Sequence, residues 1–117
     1  MTLTLVVDDN KVNRLVLNKS LNRLNCIVSE AEDGKKAIIA CQEQDFDLIF
    51  MDMQMPELDG VSTTKILRES KLKTPIIALT ANASQQDREL CLSSGMNNFL
   101  SRPVRKSELI SIMQEYL

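Results

Sequence analysis

The sequence predicts an α/β domain, a doubly wound five-stranded parallel sheet built as (βα)5 over residues 1–117. Three observations carry this reading. Short apolar runs alternate with amphipathic segments five times, as a parallel sheet covered by helices requires. The central run Leu48-Ile49-Phe50-Met51 is apolar without a break, which fits a strand buried on both faces. No linker, internal repeat or low-complexity stretch divides the chain.

Each element follows from local pattern. Residues 3–7 form an apolar run that stops at two acids. Residues 12–24 carry Leu17, Leu21 and Leu24 at helical spacing. A second short strand spans 26–28; Asp33-Gly34 then turns the chain into a helix over 35–44. The third strand, 48–51, lies between Asp47 and Asp52, and the Leu58-Asp59-Gly60 signal opens a helix reaching about residue 70. Pro75 is tolerated at the first position of a fourth strand, 75–79. The weakest helical pattern is 83–94, closed by Gly95, a residue suited to the end of a helix. A fifth strand, 99–101, precedes a final helix over 104–117 with Leu109, Ile112, Met113 and Tyr116 on one stripe.

Composition narrows the function. About 44% of residues are apolar, enough for a packed core. Sixteen acids against fourteen bases give a net charge of −2, no footprint for DNA or RNA. Four aromatics, Phe46, Phe50, Phe99 and Tyr116, are too few for a base-stacking platform. Cys26, Cys41 and Cys91 are odd in number and lack a C-x-x-C pair, which reads as small core residues in a reducing cytoplasm. There is no histidine, so imidazole acid/base chemistry and most zinc sites are excluded. No apolar run reaches the ~18 residues of a membrane span, and no signal peptide is recognisable. The expected setting is cytoplasmic, with no membrane contact by this domain, although the parent protein is open to membrane anchoring.

The chemistry gathers at the strand ends. In such sheets, sites form beyond the carboxyl ends of the strands. The first strand ends in Asp8-Asp9, the third in Asp52 and the fourth in Thr80, and the fifth runs into Arg102-Pro103. Packed carboxylates repel, and a hard divalent cation such as Mg2+ relieves the repulsion through oxygen ligands. A carboxylate beside that metal is able to attack phosphorus and form an acyl phosphate. Thr80 and Arg102 are suited to donate to the transferred group.

These residues also have ordinary uses. A lone Asp at a strand end is commonly a turn or helix cap. Asp8 or Asp9 is positioned to cap a helix over 10–24, Thr80 to cap the helix after it, and Arg102 to be a solvated charge. Convergence of all four strand ends on one edge weighs against those uses. Asp33, Asp45, Asp47, Asp59 and Glu57 read as turn and cap residues. With only Gly34, Gly60 and Gly95, neither a dinucleotide-binding fingerprint nor a P-loop can be written.

Taken in order, five stretches resemble the receiver domain of two-component response regulators: Val6-Val7-Asp8-Asp9-Asn10, Met51-Asp52-Met53-Gln54-Met55-Pro56, Asp59-Gly60, Ile77-Ala78-Leu79-Thr80-Ala81 and Arg102-Pro103-Val104. The resemblance covers the full length and implies a flavodoxin-like strand order, 2-1-3-4-5. It implies Asp52 as phosphoacceptor, and Asp8, Asp9, Asp52 and the backbone carbonyl of Gln54 around Mg2+. Thr80 and Phe99 are then the switch pair, the peptide before Pro103 is cis, and the output surface comprises the fourth helix, fifth strand and fifth helix. The phrases VDDNKVNR, MDMQMPELDG, LTANA and GMNNFLSRPV resemble receivers fused to hybrid sensor histidine kinases. The implied partner is a histidine kinase or histidine phosphotransfer domain, the implied assembly a monomer or weak dimer. The resemblance implies Lys, which relatives nearly always carry, where this chain has Arg102, a departure expected to affect phosphorylation or the conformational response and to leave metal binding untouched.

Three functions compete. The first is a phosphoacceptor signalling domain. The second is a pseudo-receiver that binds a partner without phosphorylation, against which the intact Asp8, Asp9, Asp52 and Thr80 argue. The third is an aspartyl-phosphate hydrolase, which wants a second Asp two residues after the nucleophile, where this chain has Gln54.

Overall fold

A computed structural model describes residues 2–81 and 84–117. Strands β1 (Thr2–Val7), β2 (Cys26–Ala31), β3 (Leu48–Asp52), β4 (Ile76–Thr80) and β5 (Asn98–Ser101) alternate with helices α1 (Lys11–Arg23), α2 (Gly34–Glu43), α3 (Gly60–Glu69), α4 (Gln85–Ser94) and α5 (Lys106–Tyr116). The sheet is parallel throughout, in the order β2-β1-β3-β4-β5. The expected start of the fourth helix at Ala83, and Asn82 of the LTANA stretch, lie outside the described residues.

Side chains alternate across the strands and make two cores. Leu5, Val7, Ile49, Met51, Ile76 and Ala78 pack with Ala37 of α2, Leu67 of α3 and Cys91 of α4. Val6, Leu48, Phe50, Ile77 and Leu79 pack with Leu17 and Leu21 of α1 and Leu109 and Ile112 of α5. Each large side chain so buried contributes about 2 kcal/mol. Both faces of β3 and β4 are covered, and that explains their unbroken apolar sequences.

Strand β2 is three residues longer than its apolar run predicts. It is an edge strand, and backbone pairing with all of β1, from Thr2–Cys26 to Val7–Ala31, carries it through the polar Ser29 and Glu30. Helix starts are capped as their sequences suggest at Asp33 and Asp59, whose side chains accept from Lys36 N and Ser62 N. The cap of α1 is Asn10, which accepts from Asn13 N, so neither Asp8 nor Asp9 fills that role. Ser84, and not Thr80, caps α4. Asp47 accepts from Leu3 N, and Glu57 takes φ 65° in the turn where Leu58 N meets Pro56 O.

Candidate functional site

Parallel register delivers the strand ends to one edge of the sheet. Asp52 is the last residue of β3, level with Leu79 of β4, and Thr80 is level with Ser101, one residue before Arg102. Asp8 follows β1, and its N–H donates to Ala31 O. One carboxylate oxygen from each of Asp8, Asp9 and Asp52 falls within a cluster no wider than 4.8 Å. Asp8 and Asp52 are 1% and 5% exposed, whereas Asp9 is exposed.

Neighbours fix these carboxylates. Asp8 Oδ1 accepts from Asn10 N at 2.9 Å, and Asp52 Oδ1 accepts from Gln54 N at 3.1 Å. Arg102 is no free surface charge. Its Nη2 is paired with Asp8 Oδ2, and its Nη1 lies 3.5 Å from Asp52 Oδ1. Its backbone N–H donates to Thr80 O, and the Arg102–Pro103 peptide is cis. Burial is the main reason that the Asp52 carboxyl is pushed up to about 6; the Gln54 N–H opposes the rise, Asp8 adds to it, Arg102 opposes it and Asp9 adds to it.

Two supports were not anticipated from sequence. Arg14, in the second turn of α1, donates to the backbone carbonyl of Asp8 at 2.7 Å while its Nε pairs with Glu30. Its place six residues after Asp8, on the turn of helix nearest the edge, is the signal that was available. Gly60 opens α3 against β3, where a Cβ would come within 2.0 Å of Asp52 O, so the helix seats itself only on glycine. Beside Asp8 and Arg102 lies a cleft of about 390 Å³, walled by Asn13, Val16 and Leu17 of α1, Leu79 of β4, and Pro103 and Val104.

Phe99 does not join the cluster. It sits in β5 level with Ala78, half-buried, with the exposed Arg88 guanidinium 4.7 Å from its ring centroid. Gln54 bonds Asp52 through its backbone N–H, and its side chain is exposed. The thiols are unpaired; burial pushes Cys41 and Cys91 up to about 11, which makes them poor nucleophiles.

The ligand atoms of the cluster are all hard oxygens, two of them buried and mutually repelling, a donor set that suits Mg2+. This defines the class, a doubly wound α/β domain with an acidic pocket at the edge where β1 and β3 meet. The chain belongs to the response regulator receiver domain family, whose model matches residues 4–114. It is 41% identical over 96% of its length to the osmosensing histidine protein kinase SLN1 of Saccharomyces cerevisiae, and 39% identical over 97% to the transcription factor SKN7 of the same yeast. It spans only 10% and 18% of the lengths of those two proteins. Among solved structures, it is similar to the receiver domain of sensor histidine kinase PA1611 from Pseudomonas aeruginosa, which holds a magnesium ion in its active-site cleft (43% identity, TM-score 0.89, 98% of this chain and 96% of that one). A further match is in the co-crystal structure of the yeast histidine phosphotransfer protein Ypd1 with the Ssk1 receiver domain (32% identity, TM-score 0.90, 98% of this chain and 88% of that one). The chain is therefore homologous to phosphorelay receivers.

Proposed function

We propose that residues 1–117 act as one receiver domain that takes a phosphoryl group from a phosphohistidine onto Asp52. The observation that carries this is the gathering of Asp8, Asp9, Asp52 and Arg102 at one sheet edge, with Asp52 nearly buried and its carboxyl under repulsion. A carboxylate oxygen of Asp52 attacks phosphorus, the histidine N–P bond breaks, and the imidazole keeps the bonding pair and takes up a proton. Asp8, Asp9, Asp52 and the Gln54 carbonyl would hold Mg2+, whose charge offsets that of the transferred group. Thr80 and Arg102 would donate to the phosphoryl oxygens. Phe99 is then the aromatic whose position reports the change.

The partner is a histidine kinase or histidine phosphotransfer domain. Val12, Leu15 and Val16 of α1 are exposed, and Val16 also walls the cleft that Asp8 borders, an apolar surface suited to a partner helix that brings its histidine to the edge. Likeness to hybrid kinase receivers and the unpaired thiols favour a cytoplasmic setting. Among the described residues, no helix is long and apolar enough to cross a membrane.

The test is intact mass after incubation with acetyl phosphate, or with a phosphorylated histidine donor, in Mg2+. One phosphoryl mass is expected on the wild type, and none on Asp52→Asn or with a chelator. An unchanged wild-type mass under both donors would overturn the reading.

A further inference from the structure

Arg102 stands where the resemblance puts a lysine. Its two terminal nitrogens reach two different carboxylates, Asp8 Oδ2 and Asp52 Oδ1. Both acids belong to the cluster whose oxygens lie within 4.8 Å of one another. The same carboxylates thus have two claimants. A guanidinium is a rigid fork that can hold two oxygens at once, whereas an ammonium is a compact centre that meets fewer. Arg102 is also tethered, because its backbone N–H is fixed to Thr80 O and Pro103 follows it. Its side chain is 24% exposed and borders the cleft of about 390 Å³ beside Asp8.

We propose that Arg102 is a tethered counter-cation that competes with the divalent metal for Asp8 and Asp52 and withdraws toward that cleft when metal binds. The inference rests on the cluster being the Mg2+ site proposed above. It replaces the sequence-based expectation that the exchange of Lys for Arg leaves metal binding untouched. In consequence this chain requires more Mg2+ for occupancy than its Arg102→Lys variant. The guanidinium freed by the metal is then available to a phosphoryl group at Asp52.

Mg2+ titrations of the whole chain followed by NMR, on the wild type, Arg102→Lys and Arg102→Gln, provide the test. Arg102→Lys keeps the net charge but loses the fork, and it should bind Mg2+ about fivefold more tightly. Arg102→Gln should bind at least as tightly as the lysine variant. In the wild type, the Arg102 Nε–H resonance should move along the same binding curve as the backbone amide of Asp9. A gain of more than twofold in the lysine variant, with a moving Arg102 resonance, supports the competition. A lysine variant within twofold of wild type, or weaker, overturns it even where Arg102→Gln binds more tightly, since net charge alone then sets the affinity. A fixed Arg102 resonance overturns it as well. Failure of all three chains to bind Mg2+ would instead remove the metal site, and the inference with it.

Discussion

Arg68 and Arg102 lie at opposite edges of the same pair of strands. Arg68, on α3, stands where β4 and β5 begin. It donates to the carbonyls of Gly95, Leu72 and Thr74 and to Asn97 Oδ1, all at 2.8–2.9 Å. Arg102 stands where those strands end, among carboxylates. The first arginine meets neutral acceptors, one of which, Asn97 Oδ1, also accepts from Ile76 N. The second meets charged oxygens that a metal would also want. The same side chain is a clamp at one edge and an exchangeable ion at the other, and the difference lies in its partners. Helix α4 joins the two corners. Its last turn ends at Gly95, at φ 109° in the left-handed region, where a Cβ would come within 2.8 Å of Arg68 Cγ. Its buried residues, Cys91 and Ser94, lie in the half nearer that clamp.

The largest expected effect would break the comparison at the clamp. Arg68→Ala leaves several half-buried carbonyls without a donor and should cost about 3 kcal/mol in urea unfolding while leaving the Mg2+ response unchanged. A variant as stable as the parent would mean that water satisfies the carbonyls and that this corner is no clamp.

A second experiment sharpens the contrast at the acidic edge, through pH. In metal-free protein the folded-state carboxyl of Asp52 lies near 6, against 3.8 for its ordinary value. The folded chain therefore binds the proton more tightly than the unfolded chain. The resulting stability is fully present below about pH 4 and is lost as pH rises through about 6. In chelator, the wild type should lose about 2 kcal/mol across that window relative to Asp52→Asn, after a discount for partial screening. Parallel pH profiles for the two chains would show that the pocket does not disfavour the carboxylate.

The smallest effect concerns the helix between the corners. Arg88 is exposed over the Phe99 ring, so Arg88→Gln should change stability by no more than about 1 kcal/mol. It should nonetheless move the Phe99 ring resonances and speed hydrogen exchange in the first half of α4, where the helix buries least. Unaltered ring resonances would remove Arg88 from any role in placing the aromatic.

Much of this was legible from residue order. Apolar runs placed all five strands, most fully the inner ones, because strands covered on both faces, such as β3 and β4, have no choice but to be apolar. The acids at the strand ends were conspicuous because polar residues there have no packing role. Edge strand β2 was read short, since its pairing is a backbone property and its side chains are free to be polar. Arg68 was invisible, as three of its four acceptors are backbone carbonyls, which every residue carries alike. Arg102 was visible as a departure, but its attachment to both Asp8 and Asp52 depends on side-chain reach across ninety-four and fifty positions of sequence. Asn10 was passed over as a cap because two acids stood directly before it.

One further consequence belongs to the far side of the sheet. Thr2, where β1 begins, and Leu117, just past α5, line a common groove with Leu24 and Met113. Asp8, Asp9, Asp52, Thr80 and Arg102 all stand at the other rim, at the carboxyl ends of β1, β3, β4 and β5. A contact made in that groove therefore leaves the approach to the acids clear, because the two lie at opposite ends of the same parallel strands.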